Sequence, residues 1–170
     1  MLIVHAEIHT MAGREIHNGT IRVQRGRIQT VGRTALKPRP GEQILDVAGA
    51  GVYPGFVDAH THLGMWEDAL TFEGDDGNEE TDPVTPQLRA VDAVNPMDRC
   101  FSDALGAGVT TVVTGPGSAN PIGGQMAAVK TYGSRMDDMI VKAPVAIKMA
   151  LGENPKSVYH GRNETPSTRM

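Results

Sequence analysis

Apolar and polar residues alternate in short blocks through the first third of the chain. Leu2-Ile3-Val4 is an apolar run, Ile21-Arg22-Val23 and Ile28-Gln29-Thr30-Val31 alternate, and Ile44-Leu45-Asp46-Val47 closes the series. A period of two places one face of each strand on a core. Turn signals separate the blocks: His17-Asn18-Gly19-Thr20 contains Asn-Gly, Arg25-Gly26-Arg27 centres on glycine, and Lys37-Pro38-Arg39-Pro40-Gly41 interrupts pairing. Residues 1–53 are expected to form a small antiparallel β-sandwich unit, too poor in large apolar side chains to stand by itself.

The pattern changes at Tyr53-Pro54-Gly55. Phe56-Val57-Asp58-Ala59-His60 predicts a short strand. Asn95-Pro96 predicts a helix start, with Asn95 as N-cap and Pro96 in the first position. Met97, Phe101 and Leu105 recur at four-residue spacing as its buried stripe, and Gly106 and Gly108 stop it. Val109-Thr110-Thr111-Val112-Val113-Thr114 is β-branched throughout, the composition of a strand covered on both faces. Gly115 to Gly124 predicts a loop, Met126 to Tyr132 a short helix, and Val145 to Ala150 a third strand, while Gly152 to Met170 is a polar tail with no closing element. Alternating strand and helix over residues 54–170 predict parallel βαβ units and an α/β fold.

Composition narrows the function. The chain is 39% hydrophobic and 21% charged, ordinary for a globular protein, and its net charge of −4 argues against a nucleic-acid partner. No apolar run nears the ~20 residues of a membrane span, and Met1-Leu2-Ile3-Val4-His5 lacks the basic start of a signal peptide. Cys100 is the only cysteine, so no intrachain disulfide forms and a cytoplasmic location is expected. Beside Phe101, Cys100 is expected to pack rather than react.

Candidate chemistry gathers at His60-Thr61-His62. Side chains two apart on a strand share a face, so these imidazoles point together, with Asp58 one layer below. Two imidazoles in that relation can bind one divalent metal, zinc first, with iron, nickel or manganese also compatible. A His-x-His is a weak signal alone, and its place at the end of an apolar strand after Pro54-Gly55 gives it weight. Asp58 is expected to orient the histidines by hydrogen bonding. His5, His9 and His17 are expected on exposed strand or turn positions, and His160 in the polar tail has no assigned part.

Two further stretches carry open readings. Residues 66–82 hold eight carboxylates (Glu67, Asp68, Glu73, Asp75, Asp76, Glu79, Glu80, Asp82) and no basic residue. They read either as a lid, with Trp66 or Phe72 over a substrate bearing a cationic group, or as a solvated, partly disordered insertion, which the charge density favours. Gly115 to Gln125 reads either as a cradle of amides for a carboxylate or oxyanion, or as a conformationally demanding loop. It lacks the Gly-Lys-Ser/Thr ending of a nucleotide loop.

Gly19-Thr20-Ile21-Arg22-Val23, Gly26-Arg27-Ile28-Gln29-Thr30-Val31-Gly32, Asp46, Pro54-Gly55-Phe56-Val57-Asp58-Ala59-His60-Thr61-His62 and Gly106-Ala107-Gly108-Val109-Thr110-Thr111-Val112 together resemble the amidohydrolase superfamily, most of all its imidazolonepropionase-like branch. The resemblance implies a partial TIM-type (β/α) barrel over residues 54–170, preceded by the β unit. It implies hydrolysis of an amide, cyclic amide or amidine C–N bond in a small molecule by metal-activated water. His60 and His62 would be the first two metal ligands. Glu153 would be a third, as a glutamate after the third strand is in amino-sugar deacetylases, or else an ordinary loop carboxylate. Lys148 would correspond to the carboxylated lysine that bridges two metals in several relatives. That lysine normally sits on the fourth strand, so an ordinary solvated or paired lysine is the preferred reading. Further histidines and a proton-shuttling aspartate are expected outside this chain, because a complete barrel needs ~250 residues. The chain is therefore expected to be an N-terminal portion, inactive alone. A homo-oligomer or a complementary C-terminal segment would complete it, unless it is a non-catalytic fragment.

Overall fold

A computed structural model describes residues 1–67 and 70–170. The chain divides into two compact units, Met1–Pro54 and Gly55–Met170.

The first unit contains β1 (Leu2–Ile8), β2 (Ile16–Gln24), β3 (Arg27–Gly32), β4 (Ile44–Asp46) and β5 (Gly51–Val52). They form a sheet of order β3-β2-β1-β4, with β5 also on β1. β2 runs antiparallel to β1 and β3, whereas β4 and β5 run parallel to β1. The expected antiparallel sandwich is thus one mixed sheet among the described residues. Arg25 and Gly26, at φ 49° and 70°, make the tight hairpin expected between β2 and β3. Asn18-Gly19 does not turn the chain. It lies inside β2 at a register irregularity, where a β-carbon on Gly19 would sit 2.4 Å from Ile8 Cδ1. The turn signal there marks a close approach of β1 and β2 instead. Ala6, Ile8 and Ile21 are the core of this unit.

The second unit contains β6 (Phe56–Thr61), α1 (Ala90–Ala93), α2 (Arg99–Gly106), β7 (Val109–Thr114), β8 (Ile122–Lys130), α3 (Met136–Met139), β9 (Ile140–Met149) and α4 (Glu153–Gly161). Its sheet has the order β6-β7-β8-β9. β6 and β7 are parallel, joined through α2 as the alternation predicts. β8 departs from expectation: residues 115–121 are loop as expected, but the end of that stretch and the expected short helix form a nine-residue strand, antiparallel to both neighbours. Its glycines, alanines and Met126 have little strand propensity of their own, and pairing on both edges overrides it. Because β8 reverses, β9 runs in the direction of β6 and β7. No closed barrel exists among the described residues, and none of the helices among them is long and apolar enough to cross a membrane.

α2 starts later than Asn95-Pro96 suggests. Asp98 is the N-cap, its Oδ1 accepting from the Cys100 amide at 3.0 Å, while Asn95 Oδ1 accepts from the Met97 amide in the preceding turn. Of the expected stripe only Phe101 is buried, at 3% exposure, against 70% for Met97 and 36% for Leu105. Phe101 packs with Met65, Val94, Val112, Val129 and Met139, and Cys100 lies partly buried against the same cluster. The tail from Gly152 does close on the unit: in α4, Tyr159 is 1% exposed and its hydroxyl donates to Asn120 Oδ1 at 2.6 Å.

Phe101→Ala is expected to cost about 3–5 kcal/mol by urea denaturation, the range for truncating a fully packed aromatic. Met97→Ala, lying before the helix, is expected to stay within about 0.5 kcal/mol of wild type.

Candidate functional site

His60 and His62 lie at the C-terminal end of β6 and just beyond it, with ring centroids 5.4 Å apart in an edge-on arrangement. His62 Nδ1 is 2.7 Å from the Gly115 carbonyl, at the end of β7. A carbonyl only accepts, so Nδ1 carries the proton and Nε2 keeps its lone pair. Trp66 presses edge-on against His62, with centroids 5.2 Å apart.

The second histidine meets a residue from the far edge of the sheet. Lys148 Nζ on β9 is 3.0 Å from His60 Nε2. Lys148 is 7% exposed and paired with His60, so of the solvated or paired lysine preferred from sequence it is the paired one. An ammonium only donates, so His60 Nε2 is the acceptor and its lone pair faces Lys148. The ammonium holds His60 below its ordinary pKa of 6.5, with burial and His62 acting in the same direction and Asp58 opposing. Burial likewise lowers Lys148 from its ordinary 10.5.

β6 and β9 are outermost in this sheet. Three strand spacings on a flat sheet put them about 14 Å apart. A 3.0 Å contact between their side-chain tips therefore requires a curled sheet with His60 and Lys148 on its concave side.

The other candidates fall elsewhere. Asp58 is exposed, and its Oδ1 accepts from the His60 amide at 3.1 Å, steadying the backbone rather than either ring. Glu153 is the exposed first residue of α4 and lines a separate cleft with Ser118, Asn154 and Arg169. Among the described residues no three His, Cys, Asp or Glu side chains gather where they could hold one ion, so Glu153 does not complete the histidine pair. Three histidines of the first unit pair with carboxylates: His5 with Asp46, His9 with Glu15 and His17 with Glu7.

The donor set nevertheless suits a divalent metal. Both imidazoles keep an Nε2 lone pair, and His62 donates its other nitrogen to a main-chain carbonyl, as metal-ligating histidines do. The acceptor role of Gly115 O was not foreseen from sequence; only the Gly115–Gln125 loop was singled out.

Two amides of that loop are already committed to the acidic stretch. The Gly117 amide donates to Gly77 O at 2.8 Å and the Ala119 amide to Asn78 Oδ1 at 3.1 Å. Asn120, 2% exposed, donates from Nδ2 to Glu79 O at 2.5 Å and Thr85 Oγ1 at 3.1 Å. Arg162 adds an ion pair with Glu80. The stretch from Gly77 to Glu80 is thereby docked on the loop that holds His62, while the side chains of Asp75, Asp76 and Glu79 stay exposed, as its charge density suggested. Asp68 and Ala69, within the same stretch, lie outside the described residues.

Comparisons with known proteins bear on this site. No family model matches the chain. An amidohydrolase of Hapsidospora irregularis is 33% identical over 165 residues, covering 89% of this chain and 17% of that protein. An imidazolonepropionase of Phocaeicola vulgatus is 40% identical over 76 residues, covering 37% of this chain and 18% of that protein. The crystal structure of an amidohydrolase from Thermotoga maritima superimposes with a TM-score of 0.92 at 43% identity, covering 99% of this chain and 43% of that one. The chain belongs to the amidohydrolase superfamily and corresponds to an N-terminal portion of its members. It spans about a sixth of the length of each of the two curated relatives.

Two outcomes test the site. The His60 ring is expected to stay mostly neutral at pH 6.5 in a proton NMR titration, and Lys148→Met is expected to raise its midpoint. The unfolded chain binds the extra proton first, so stability falls as pH drops below 6.5, and Lys148→Met reduces that loss. A β-carbon on Gly77 would lie 1.8 Å from Trp66 Cζ2, so Gly77→Ala is expected to push Trp66 off His62 and shift the emission of the chain's only tryptophan.

Proposed function

We propose that this chain carries the first part of the active site of a metal-dependent hydrolase that cleaves C–N bonds in a small molecule, an amide, cyclic amide or amidine. One observation carries the reading: His60 and His62 leave the end of β6 side by side, the Nε2 lone pair of His62 open and that of His60 turned towards Lys148 Nζ. The likeness to amidohydrolases and to an imidazolonepropionase supports the reaction class.

His60 and His62 would hold the metal, with zinc first and iron, nickel or manganese as alternatives. When bound, such an ion supplies water activation near neutral pH and polarises the scissile carbonyl. Lys148 replaces Glu153 as the candidate third donor. Its Nζ already faces His60, and burial favours its neutral amine, the form that takes up carbon dioxide to give a carboxylated lysine. Asp58 holds the His60 backbone.

The curled sheet with β6, β7 and β9 in one direction supports part of a (β/α) barrel, the histidines sitting at the C-terminal ends of its strands. Its outer strands expose Phe56, Val57, Ile147 and Met149. Catalytic zinc takes three protein ligands plus water. The remaining donors, and cover for the exposed strands, would come from a complementary segment or another copy of the chain, so these 170 residues alone are expected to turn over little substrate.

Titration with Co²⁺, read by its visible absorption, is expected to give a saturable band in wild type that is lost in His60→Ala and His62→Ala. Mass spectrometry in bicarbonate is expected to show the gain of one carbon dioxide, absent in Lys148→Ala. A wild-type chain that develops no Co²⁺ band would overturn the metal reading.

A further inference from the structure

We infer that the cleft between the acidic stretch and α1 binds the non-reacting end of the substrate, and that this end is a cation on an apolar stem, such as a guanidinium or alkylammonium group. The inference rests on the hydrolase reading for which bond is cut, but not for what the cleft binds.

The cleft has a volume of about 600 Å³, within the range of small-molecule sites. Three of its lining residues place it beside the histidines. The Met65 amide donates to the His62 carbonyl. Pro116 follows Gly115, whose carbonyl fixes the His62 ring. A β-carbon on Gly123 would stand 3.3 Å from Pro116 Cβ and 3.6 Å from Lys148 Cγ. A molecule with its scissile bond at the His60–His62 pair therefore has this cleft as adjoining space for its remainder.

The far wall sets the chemistry. Asp75, Asp76 and Glu79 line it from the acidic stretch and Asp92 from α1, and among the described lining residues Arg89 is the only cation. Arg89 is committed: its Nε and Nη2 donate to the two carboxylate oxygens of Asp92 at 2.8 and 2.6 Å. Asp75 and Glu79 each use one oxygen locally, towards Gly77 and Thr81, and this leaves three carboxylates without a cation across the cleft. Met65, Phe72 and Leu88 supply apolar surface in the same cleft, suited to a methylene stem. The wall is held in place from outside. The Gly117 amide, Ala119 amide and Asn120 side chain fasten Gly77, Asn78 and Glu79, so little ordering is left for a ligand to impose.

A matched pair of probes decides the matter, because citrulline has nearly the shape of arginine without its charge. Binding of Nα-acetyl-arginine and Nα-acetyl-citrulline is measured by calorimetry on the full chain, with and without Zn²⁺, alongside hydrolysis of both. The arginine compound is expected to bind about tenfold tighter or better, since several half-exposed ion pairs act together, and to lose that advantage as salt rises. Asp76→Asn and Asp75→Asn are expected to lower the preference while leaving citrulline binding unchanged, which shows that the cleft is still folded. Equal binding of the two compounds, no binding of either, or a preference untouched by both variants overturns the inference. Charge-selective binding by a chain that develops no Co²⁺ band leaves the cleft assigned and counts against the hydrolase reading; a Co²⁺ band lost in His60→Ala, with no preference for the arginine compound, does the reverse.

Discussion

A four-stranded sheet can bring side chains from its two outermost strands together only by curling. The contact between His60 on β6 and Lys148 on β9 shows that this one does. The curl gathers the strand ends that carry functional groups onto one concave side, buries Lys148 against His60, and through it lowers the pKa of that imidazole. Each of these follows from the same geometry. A flat sheet would leave His60 at an edge, out of reach of Lys148.

A second constraint orients what the curl assembles. The His62 Nδ1 bond to Gly115 ties the chain beyond β6 to the end of β7 and settles which nitrogen keeps its lone pair. Gly115 then opens a loop whose amides and Asn120 fasten the acidic stretch, while Gly77 makes room for the Trp66 ring that packs on His62. The metal-ligand candidates, the loop and the acidic wall are thus one connected piece. Tyr159 of α4 completes it through Asn120, so a helix at the far end of the unit braces the wall of the cleft.

Local pattern was enough for part of this. Phe56 to His60 reads as a strand because its apolar run is short and bounded by Pro54-Gly55, and Val109 to Thr114 because every residue is β-branched. The His60–His62 pairing follows from strand periodicity, and the Arg25-Gly26 hairpin from a glycine free to take positive φ. β8 was not legible: its glycines and alanines become a strand only when β7 and β9 pair with it. The start of α2 was misplaced because Asn95 and Asp98 both suit a cap, and only packing of Phe101 selects between them.

By itself, then, the sequence determined what short-range sterics and periodicity govern: every strand of the described residues but β5 and β8, the Arg25-Gly26 turn, a pair of imidazoles on one face, and the likeness to amidohydrolases carried by contiguous motifs. Tertiary structure alone decided what depends on residues far apart in the chain. His60 and Lys148 are separated by 88 positions, and Asn120 and Tyr159 by 39. No local pattern encodes such a meeting, because it depends on sheet order and curvature. For the same reason a stretch rich in carboxylates, whose side chains stay exposed as local charge suggests, becomes one wall of a cleft once distant amides hold its backbone.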